Sequence, residues 1–201
     1  MSSNSAISFA LCGGAVLGAC GVSSCAPPQA VNPQVEAALR QADNLEVSAR
    51  PAPQRFTAYV TGYSYWDNTP VASATIAMPV IHQTAGGQGT YGDPITLAVG
   101  YSIVDGKTEP DFPAGTRFYL ERIHKYAIVE DVCGDGPIPQ SGPCHIGYTG
   151  HPWFDIYVGG QDVTAQRANA CARSITALQT VVMNPDPNLL VSAGEVIKSA
   201  C

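Results

Sequence analysis

Three aspartates have the spacing and the surroundings for acid–base chemistry. Asp131 ends the apolar run IVED, Asp155 lies between aromatic residues in WFDIYV, and Asp67 follows the run GYSYW. Carboxyl groups that face one cleft can act as general acid and general base, and such a pair cleaves glycosidic bonds. Apolar surroundings desolvate a carboxylate and raise its pKa, so Asp155 is predicted to hold a proton and act as the acid.

Two residues are candidates for the general base that would act with Asp155. Either Asp131 or Asp67 would activate water, and Asp131 could instead orient Asp155 or the substrate. Both also lie in turn-like sequence, where an aspartate commonly accepts hydrogen bonds from nearby backbone N–H groups. Acids that only cap loops are therefore the alternative interpretation.

Aromatic residues and two histidines lie near these acids in the sequence. Sugars stack on aromatic faces, so such rings are predicted to line a binding groove, although large rings also fill protein cores. The predicted substrate-binding residues are Trp66, Trp153, Tyr65, Tyr91, His82 and His151. No histidine has a zinc-type spacing such as H-E-x-x-H, so neither a metal nor any other cofactor is predicted.

Short strands separated by turns must position these side chains. The chain of 201 residues contains 20 Gly and 16 Pro, which favours a mainly β fold with many turns. Six segments have the composition and length of strands, and six short strands at this spacing favour a small barrel or sandwich. The predicted strands lie within 56–66, 74–81, 95–104, 116–123, 125–131 and 153–160.

The two ends of the chain differ from this β region. Residues 1–20 contain an apolar run with the length of a signal-peptide core, and its last residues, LGAC, resemble a lipobox with Cys20 as the acylated residue. An ordinary signal peptide is the alternative. Residues 21–54 are predicted to be a Pro/Ala-rich tether with one short helix at 35–44, capped by Asn32. Residues 55–160 form the predicted barrel.

The C-terminal segment 161–201 is predicted to be a helix at 163–178, capped by Asp162, followed by a hairpin around NPDPN. This tail is expected to pack on the barrel. In an oxidising compartment the seven cysteines of the chain allow two bridges, one in the barrel region and one in this tail, and Cys25 is left over. The predicted disulfides are Cys133–Cys144 and Cys171–Cys201.

The charge of the chain argues against one class of partner. The formal net charge is −6 and the pI is about 5.0. Without a basic stripe to neutralise phosphates, nucleic acid is not a predicted partner.

Several motifs together resemble the double-psi β-barrel superfamily. The turn 113–116 (PAGT), the pair Glu130-Asp131 and the strand 154–157 (FDIY) are similar to the three-aspartate domain of lytic transglycosylases and to rare lipoprotein A. Residues 62–67 (GYSYWD) are similar to the first strand of family 45 endoglucanases. The resemblance implies a six-stranded double-psi barrel in which Asp155 is the retained acid. One aspartate of the three-aspartate domain is replaced here by Gly100.

These features predict an exported protein that acts on a cell-wall polysaccharide of the peptidoglycan type. It would be secreted, periplasmic or anchored to a membrane through an acylated Cys20. Cleavage would be hydrolytic or lytic, as in a glycoside hydrolase or a lytic transglycosylase. The missing third aspartate favours an alternative, a non-catalytic wall-binding module similar to expansins. A third possibility is an interaction protein whose acids cap loops.

Overall fold

A computed structural model describes residues 32–38, 40–41 and 51–201. The predicted export signal, Cys20 and Cys25 lie outside the described residues. The chain divides into two units, Met1–Val47 and Ser48–Cys201. In the first unit, residues 33–38 and 40–41 are helical and form α1. The Asn32 side chain accepts a hydrogen bond from the backbone N–H of Gln34 at 2.9 Å, which confirms the predicted cap.

The second unit is mainly β. Its helices are short, and a 3₁₀ turn at Pro139–Ser141 precedes the first of them. The helices are α2 (Pro143–Ile146), α3 (Ala165–Ile175) and α4 (Val196–Ser199). The strands are β1 (Gln54–Tyr63), β2 (Ile95–Val99), β3 (Tyr101–Val104), β4 (Lys107–Pro110), β5 (Arg117–Leu120), β6 (Lys125–Val132), β7 (Trp153–Tyr157) and β8 (Ala177–Met183).

Six of these strands close a barrel, which confirms the predicted fold class. Around the barrel the order is β1, β7, β2, β6, β5 and β8, and β3 pairs with β4 in a separate hairpin. The pairs β1–β7 and β2–β6 are parallel, while the other barrel pairs are antiparallel. Closure leaves no barrel strand with an unpaired edge.

Alternation along each strand separates the barrel core from its outer surface. Side chains of successive strand residues point to opposite faces. In β7, Phe154 and Ile156 are fully buried in the core, whereas Trp153 and Asp155 are partly exposed. In β1, Ala58 and Val60 occupy the core in the same way. The outer residues of these two strands are therefore available to form a site.

One predicted strand is wrong. Residues 74–81 (ATIAMPVI) are irregular, because β6, on which they lie, is already paired on both sides with β2 and β5. Pro79 also lacks the N–H that a ladder would need. The segment is held instead by single contacts, such as the Met78 N–H donating to the Glu130 carbonyl at 2.9 Å.

The sixth barrel strand is β8, which was predicted to be part of a hairpin tail. It pairs with both β1 and β5, and the segment after it contains only the short helix α4, so the second strand of that hairpin is absent from the described tail. The predicted helix is confirmed as α3. Its cap is Thr164, whose hydroxyl accepts from the Arg167 N–H at 3.3 Å, and not Asp162.

The predicted strand 95–104 breaks at Gly100. A side chain there would place Cβ 2.4 Å from Asp111 Oδ2 and 2.5 Å from the His145 backbone, so only glycine fits. The chain therefore leaves the barrel at this point and enters the β3–β4 hairpin.

Both predicted disulfides are present. Cys133–Cys144 connects the end of β6 to α2, and Cys171–Cys201 connects α3 to the end of the chain. Closing loops of this size contributes about 3–4 kcal/mol each. Among the described residues, no helix has the length and apolar character needed to cross a membrane.

Candidate functional site

A row of outward-facing residues crosses four neighbouring strands of the barrel. Thr61 in β1 pairs with Asp155 in β7, Asp155 pairs with Ala98 in β2, and Ala98 pairs with Asp131 in β6. Neighbouring strands lie about 4.8 Å apart, so the two aspartates are separated by the width of one small residue. The methyl group of Ala98 leaves open space between the two carboxyl groups.

This space is a cleft of about 260 Å³, here called the acidic cleft. It contains all three predicted catalytic aspartates together with Trp153. Its lining residues are Tyr63, Asp67, Asn68, Thr69, Ala98, Asp131, Val132, Cys133, Gly134, Asp135, Pro143, Cys144, Trp153 and Asp155. The prediction that acids from separate strands meet in one cleft therefore agrees with the geometry.

Asp155 has the electrostatic character of a proton donor. Burial is the main cause that raises the pKa of its carboxyl to about 7. The hydrogen bond from Thr61 opposes this shift, and the charges of Asp67, Asp131 and Asp135 add to it. The residue nevertheless keeps partial contact with the open cleft. An acid with a pKa near neutral can both give and take a proton during a reaction.

Thr61 connects Asp155 to Trp153. The Thr61 hydroxyl donates to Asp155 Oδ1 at 2.6 Å, and the Trp153 indole N–H donates to the same hydroxyl oxygen at 2.8 Å. The indole donor leaves the hydroxyl proton free to point at the carboxyl. The chain of two hydrogen bonds fixes the position of the acid and the orientation of the indole ring at the cleft wall.

Asp131 is held much more tightly. Its Oδ1 accepts from the backbone N–H groups of Ala77 and Val132 at 3.0 and 2.9 Å, and its Oδ2 accepts from the Tyr63 hydroxyl at 2.9 Å. Burial raises the pKa of Asp131, and these three hydrogen bonds oppose that shift. With donors on both oxygens, Asp131 is better suited to fix the loop and set the cleft's charge than to activate water.

The other two acids cap turns at the rim of the cleft. Asp67 Oδ1 accepts from the N–H and the hydroxyl of Ser64 at 2.6 and 2.7 Å. Asp135 Oδ2 accepts from the backbone N–H of Cys144 at 3.0 Å. Asp67 is exposed and Asp135 is partly exposed, so Asp67 is the more accessible of the two to water.

An aromatic wall adjoins the acidic cleft. Tyr59 stacks on Tyr148 with ring centroids 4.2 Å apart, and Trp153 contacts Tyr59 edge-on at 4.8 Å. Tyr59 and Trp153 are cross-strand partners on β1 and β7, two residue pairs from Thr61 and Asp155 and on the same face of the sheet. Tyr148 is 43% exposed, so part of this wall faces solvent.

Five of the six predicted binding residues lie outside the acidic cleft, and four of them have the following positions. The Trp66 indole N–H donates to the Gly160 and Val163 carbonyls at 2.8 and 3.0 Å, and its ring packs on the main core. Tyr65 packs edge-on against Trp66. Tyr91 contacts Tyr126 edge-on and lies under the Arg117 guanidinium at 4.7 Å. His151 lines a neighbouring cavity, where Trp153 also contributes.

His82 belongs to a separate ionic cluster, here called the clamp, which it forms with Glu130 and Asp93. Its Nδ1 is 2.6 Å from Glu130 Oε2, and its Nε2 is 2.8 Å from Asp93 Oδ1. Carboxylates on both ring nitrogens favour the imidazolium form. Burial lowers the pKa of His82, but the hydrogen bonds with Asp93 and Glu130 outweigh it and raise the pKa overall.

Glu130 anchors the irregular segment before the Gly-rich loop. The carboxylate is fully buried and accepts from the N–H groups of Val80, Ile81 and His82 at 3.2, 2.7 and 2.9 Å. Burial alone raises the pKa of Glu130, but the hydrogen bonds from His82 and Ile81 reverse the shift and lower it. His82 is therefore explained by this structural clamp and not by substrate binding.

Sequence reasoning missed the residues that support Asp155. Thr61 was not predicted, and neither were Tyr59 and Tyr148 of the aromatic wall. The alternation of FTAYVTGY in β1 contains the signal for two of them, because Tyr59, Thr61 and Tyr63 share one face. Their partners on β7 could only be known from the parallel register.

The described residues contain no group of three or more His, Cys, Asp and Glu side chains arranged to hold a metal ion. In the acidic cleft, the side chains of Asp67, Asp131 and Asp135 accept hydrogen bonds from the loops around it.

Comparison with known proteins places this site within a recognised domain. The family described as the DDB_G0273701 N-terminal domain matches residues 55–201, which include the barrel except its first residue, Gln54, together with the cleft and the clamp. The chain belongs to this family.

One curated protein is similar to part of the chain. The protein described as uncharacterized protein DDB_G0273701/DDB_G0273221 of Dictyostelium discoideum is 38% identical over 82 residues, which is 41% of this chain. The match spans about a third of that relative, 32% of its length. No solved structure matches the chain. The family description and the relative carry no activity, so the function rests on the geometry of the cleft.

Proposed function

We propose that this chain is an exported, polysaccharide-active protein that binds a cell-wall glycan in the acidic cleft and cleaves it by acid catalysis. The observation that carries this proposal is Asp155, a carboxyl with a pKa of about 7 that opens into a cleft beside the Trp153 ring. At neutral pH a large fraction of Asp155 is protonated, and a positioned acid of this kind accelerates bond cleavage about 10²–10⁴-fold.

In the proposed reaction, Asp155 gives its proton to the glycosidic oxygen as the C1–O bond breaks. Positive charge then develops on the sugar ring, and the carboxylate of Asp131 on the far side of Ala98 stabilises it. Two routes complete the reaction. Water activated by Asp67 attacks C1 in the hydrolytic route, whereas a hydroxyl of the same sugar attacks C1 and returns its proton to Asp155 in the lytic route.

The hydrogen bonds of the other acids favour the lytic route. Asp131 accepts donors on both carboxylate oxygens, and Asp67 is committed to Ser64 through one oxygen. The lytic route needs only Asp155, which acts first as the acid and then as the base. A carboxyl with a pKa near neutral suits both roles.

A second candidate function, a non-catalytic binding module similar to expansins, has a specific observation in its favour. Three of the four acids that line the cleft accept hydrogen bonds from backbone N–H groups of the loops around it. Because these three acids are held by the loops, such a cleft would bind a glycan without supplying a general base. In this function Asp155 would bind a sugar hydroxyl.

The proposed export is supported by the disulfides. Two bridges in one small domain are typical of an oxidising compartment, such as the cell exterior or the periplasm. Anchoring to a membrane through an acylated Cys20 remains part of the proposal. The closed barrel with two parallel strand pairs is compatible with the double-psi resemblance.

Product analysis tests the proposal. The full chain, Asp155→Asn and the control Asp105→Asn, a substitution in an exposed turn, are each incubated with purified peptidoglycan and with β-glucans. Mass spectrometry of the soluble fraction should show new fragments with the wild type and the control, and about 10²–10⁴-fold fewer with Asp155→Asn. Anhydro ends indicate the lytic route and reducing ends the hydrolytic one. If all three proteins bind a glycan but release no fragments, cleavage is contradicted and the binding-module function is supported.

A further inference from the structure

A second cavity of about 340 Å³ lies beside the acidic cleft, between α2 and the start of β7. Trp153 and Cys144 line both spaces, so the two cavities adjoin across the indole ring and the Cys133–Cys144 bridge. A linear polymer that leaves the cleft over Trp153 therefore reaches the second cavity next.

The second cavity has a polar pair along its lining. His145 Nδ1 is 2.6 Å from Asp111 Oδ1, and both side chains are partly exposed to the cavity. Gly100 makes this pair possible, because a Cβ there would lie 2.4 Å from Asp111 Oδ2. The Asp111 carboxyl thus occupies the space that a side chain at position 100 would take. Such a pair offers hydrogen-bond donors and acceptors to hydroxyl groups.

Apolar surface completes the cavity. Phe112, Pro152 and the Trp153 ring contribute to its lining, and the Tyr59–Tyr148 stack continues from Trp153 on the outer side. Backbone hydrogen bonds in both directions between Tyr148 and His151, each 2.9 Å long, fix the turn that carries Tyr148. Flat apolar faces beside a few convergent polar groups are the usual composition of a saccharide-binding surface.

The charges of the two cavities restrict the ligand class. No Lys or Arg lines either the acidic cleft or the second cavity, and five aspartates line them in total. Sugar units that carry carboxylate or sulfate groups into these cavities would be repelled. A polycation would be attracted, but its ammonium groups would lower the pKa of Asp155 and remove the proton that the cleft holds. An uncharged saccharide avoids both effects.

We propose that the second cavity is an accessory subsite for an uncharged sugar unit of the same glycan chain that occupies the acidic cleft. Trp153 is the shared wall between the two subsites, Tyr148 supplies a stacking face, and the Asp111–His145 pair binds sugar hydroxyls. This inference rests on the proposed glycan function and adds a chain-length requirement to it. Oligosaccharides long enough to cross Trp153 bind more tightly than short ones.

The test is a length series of neutral β-linked gluco-oligosaccharides and N-acetylglucosamine oligomers, from two to eight units, bound to the full chain. Calorimetry gives the affinity, and the NMR signal of the Trp153 indole N–H reports occupancy at the shared wall. The test variants are Tyr148→Ala and His145→Gln. The control is Leu190→Ala, because Leu190 is 72% exposed and lines neither cavity. Retained amide spectra show that the variants are folded.

The account predicts that both variants weaken the long oligomers about 3–10-fold, with the affinity of the shortest binding oligomer unchanged. Equal losses for short and long oligomers, or no loss for either, would overturn the accessory subsite and leave the proposed function intact. An Asp155→Asn arm separates the two claims further, since it should abolish cleavage and keep the length dependence of binding. If no oligomer of either series binds the wild type, the accessory subsite fails, and the product analysis on peptidoglycan decides the glycan function separately.

Discussion

Glu130 and Asp155 lie in the same barrel, and burial raises the pKa of both carboxyl groups, yet their final states differ. Glu130 accepts three backbone N–H groups and the His82 ring, and its pKa falls below the usual value. Asp155 accepts one hydroxyl and faces other acids, and its pKa rises to about 7. The number and charge of the donors, and not burial itself, decide which acid is structural and which can exchange a proton.

The comparison predicts opposite effects on stability when each acid is replaced by its amide. The largest expected effect is at Glu130. In Glu130→Gln the amide oxygen can keep the three backbone N–H donors, which all meet Oε1, but the NH₂ group then faces His82 Nδ1 and the imidazolium loses its buried anionic partner. The free energy of unfolding should therefore fall by about 3–5 kcal/mol. Urea unfolding at pH 6 measures it, with Glu109→Gln, at an exposed residue of β4, as the control. If Glu130→Gln lowers the free energy of unfolding by less than Glu109→Gln does, the clamp does not stabilise the fold.

Asp155→Asn should stabilise the protein instead. The pKa of Asp155 is raised from 3.8 to about 7, so the folded state is penalised progressively as the pH rises from about 3.8, where the unfolded carboxyl ionises, and the penalty is complete above about 7. The variant lacks this penalty and should be more stable than the wild type by about 2–4 kcal/mol at pH 8, with no difference at pH 3. Thermal unfolding at both pH values measures it. A variant less stable at pH 8 would contradict the electrostatic account.

The next effect concerns the single donor to Asp155. Thr61→Val removes the hydroxyl that stabilises the carboxylate, so the pKa of Asp155 should rise by about one further unit. The Trp153 indole N–H should lose its partner at the same time and shift in the NMR spectrum. Thr57→Val, at an exposed position on the same strand, is the matched control and should change neither signal.

The smallest expected effect is at the clamp's histidine. Because the pKa of His82 is raised, its contribution is complete below about 6.5 and is lost as the pH rises through the folded value. The Glu130 contribution is present above about 4.5 and is lost in acid. His82→Asn should therefore cost about 1 kcal/mol at pH 6 and less at pH 9. A cost that does not vary with pH would show that His82 is uncharged in the folded state.

The local pattern of the sequence was sufficient to predict the fold class and the raised pKa of Asp155. Alternation and turn residues located β1, β5, β6 and β7, and the apolar setting of WFDIYV was enough to single out Asp155. The cysteine positions were sufficient for both bridges. Each of these features depends on a short stretch of chain or on the composition of the whole.

Features that depend on strand register were not predictable. The sixth barrel strand is β8 and not segment 74–81, because β8 pairs with the free edges of β5 and β1. No local sequence pattern indicates which strand edges are free. Thr61 meets Asp155 only because β1 and β7 are parallel in one particular register. Trp66 and His82 are of residue types that often bind glycans. In this structure Trp66 packs on the core and donates to the Gly160 carbonyl, and His82 pairs with the buried Glu130.

The most direct test of the comparison is an NMR titration of the side-chain carboxyl carbons in the full wild-type chain between pH 2 and pH 9. The account predicts that Asp155 titrates at about 7 and that Glu130 titrates below 4.5 in the same sample. An Asp155 midpoint below 4.5 would contradict it, because the cleft would then hold only ionised carboxylates and no proton to donate at neutral pH.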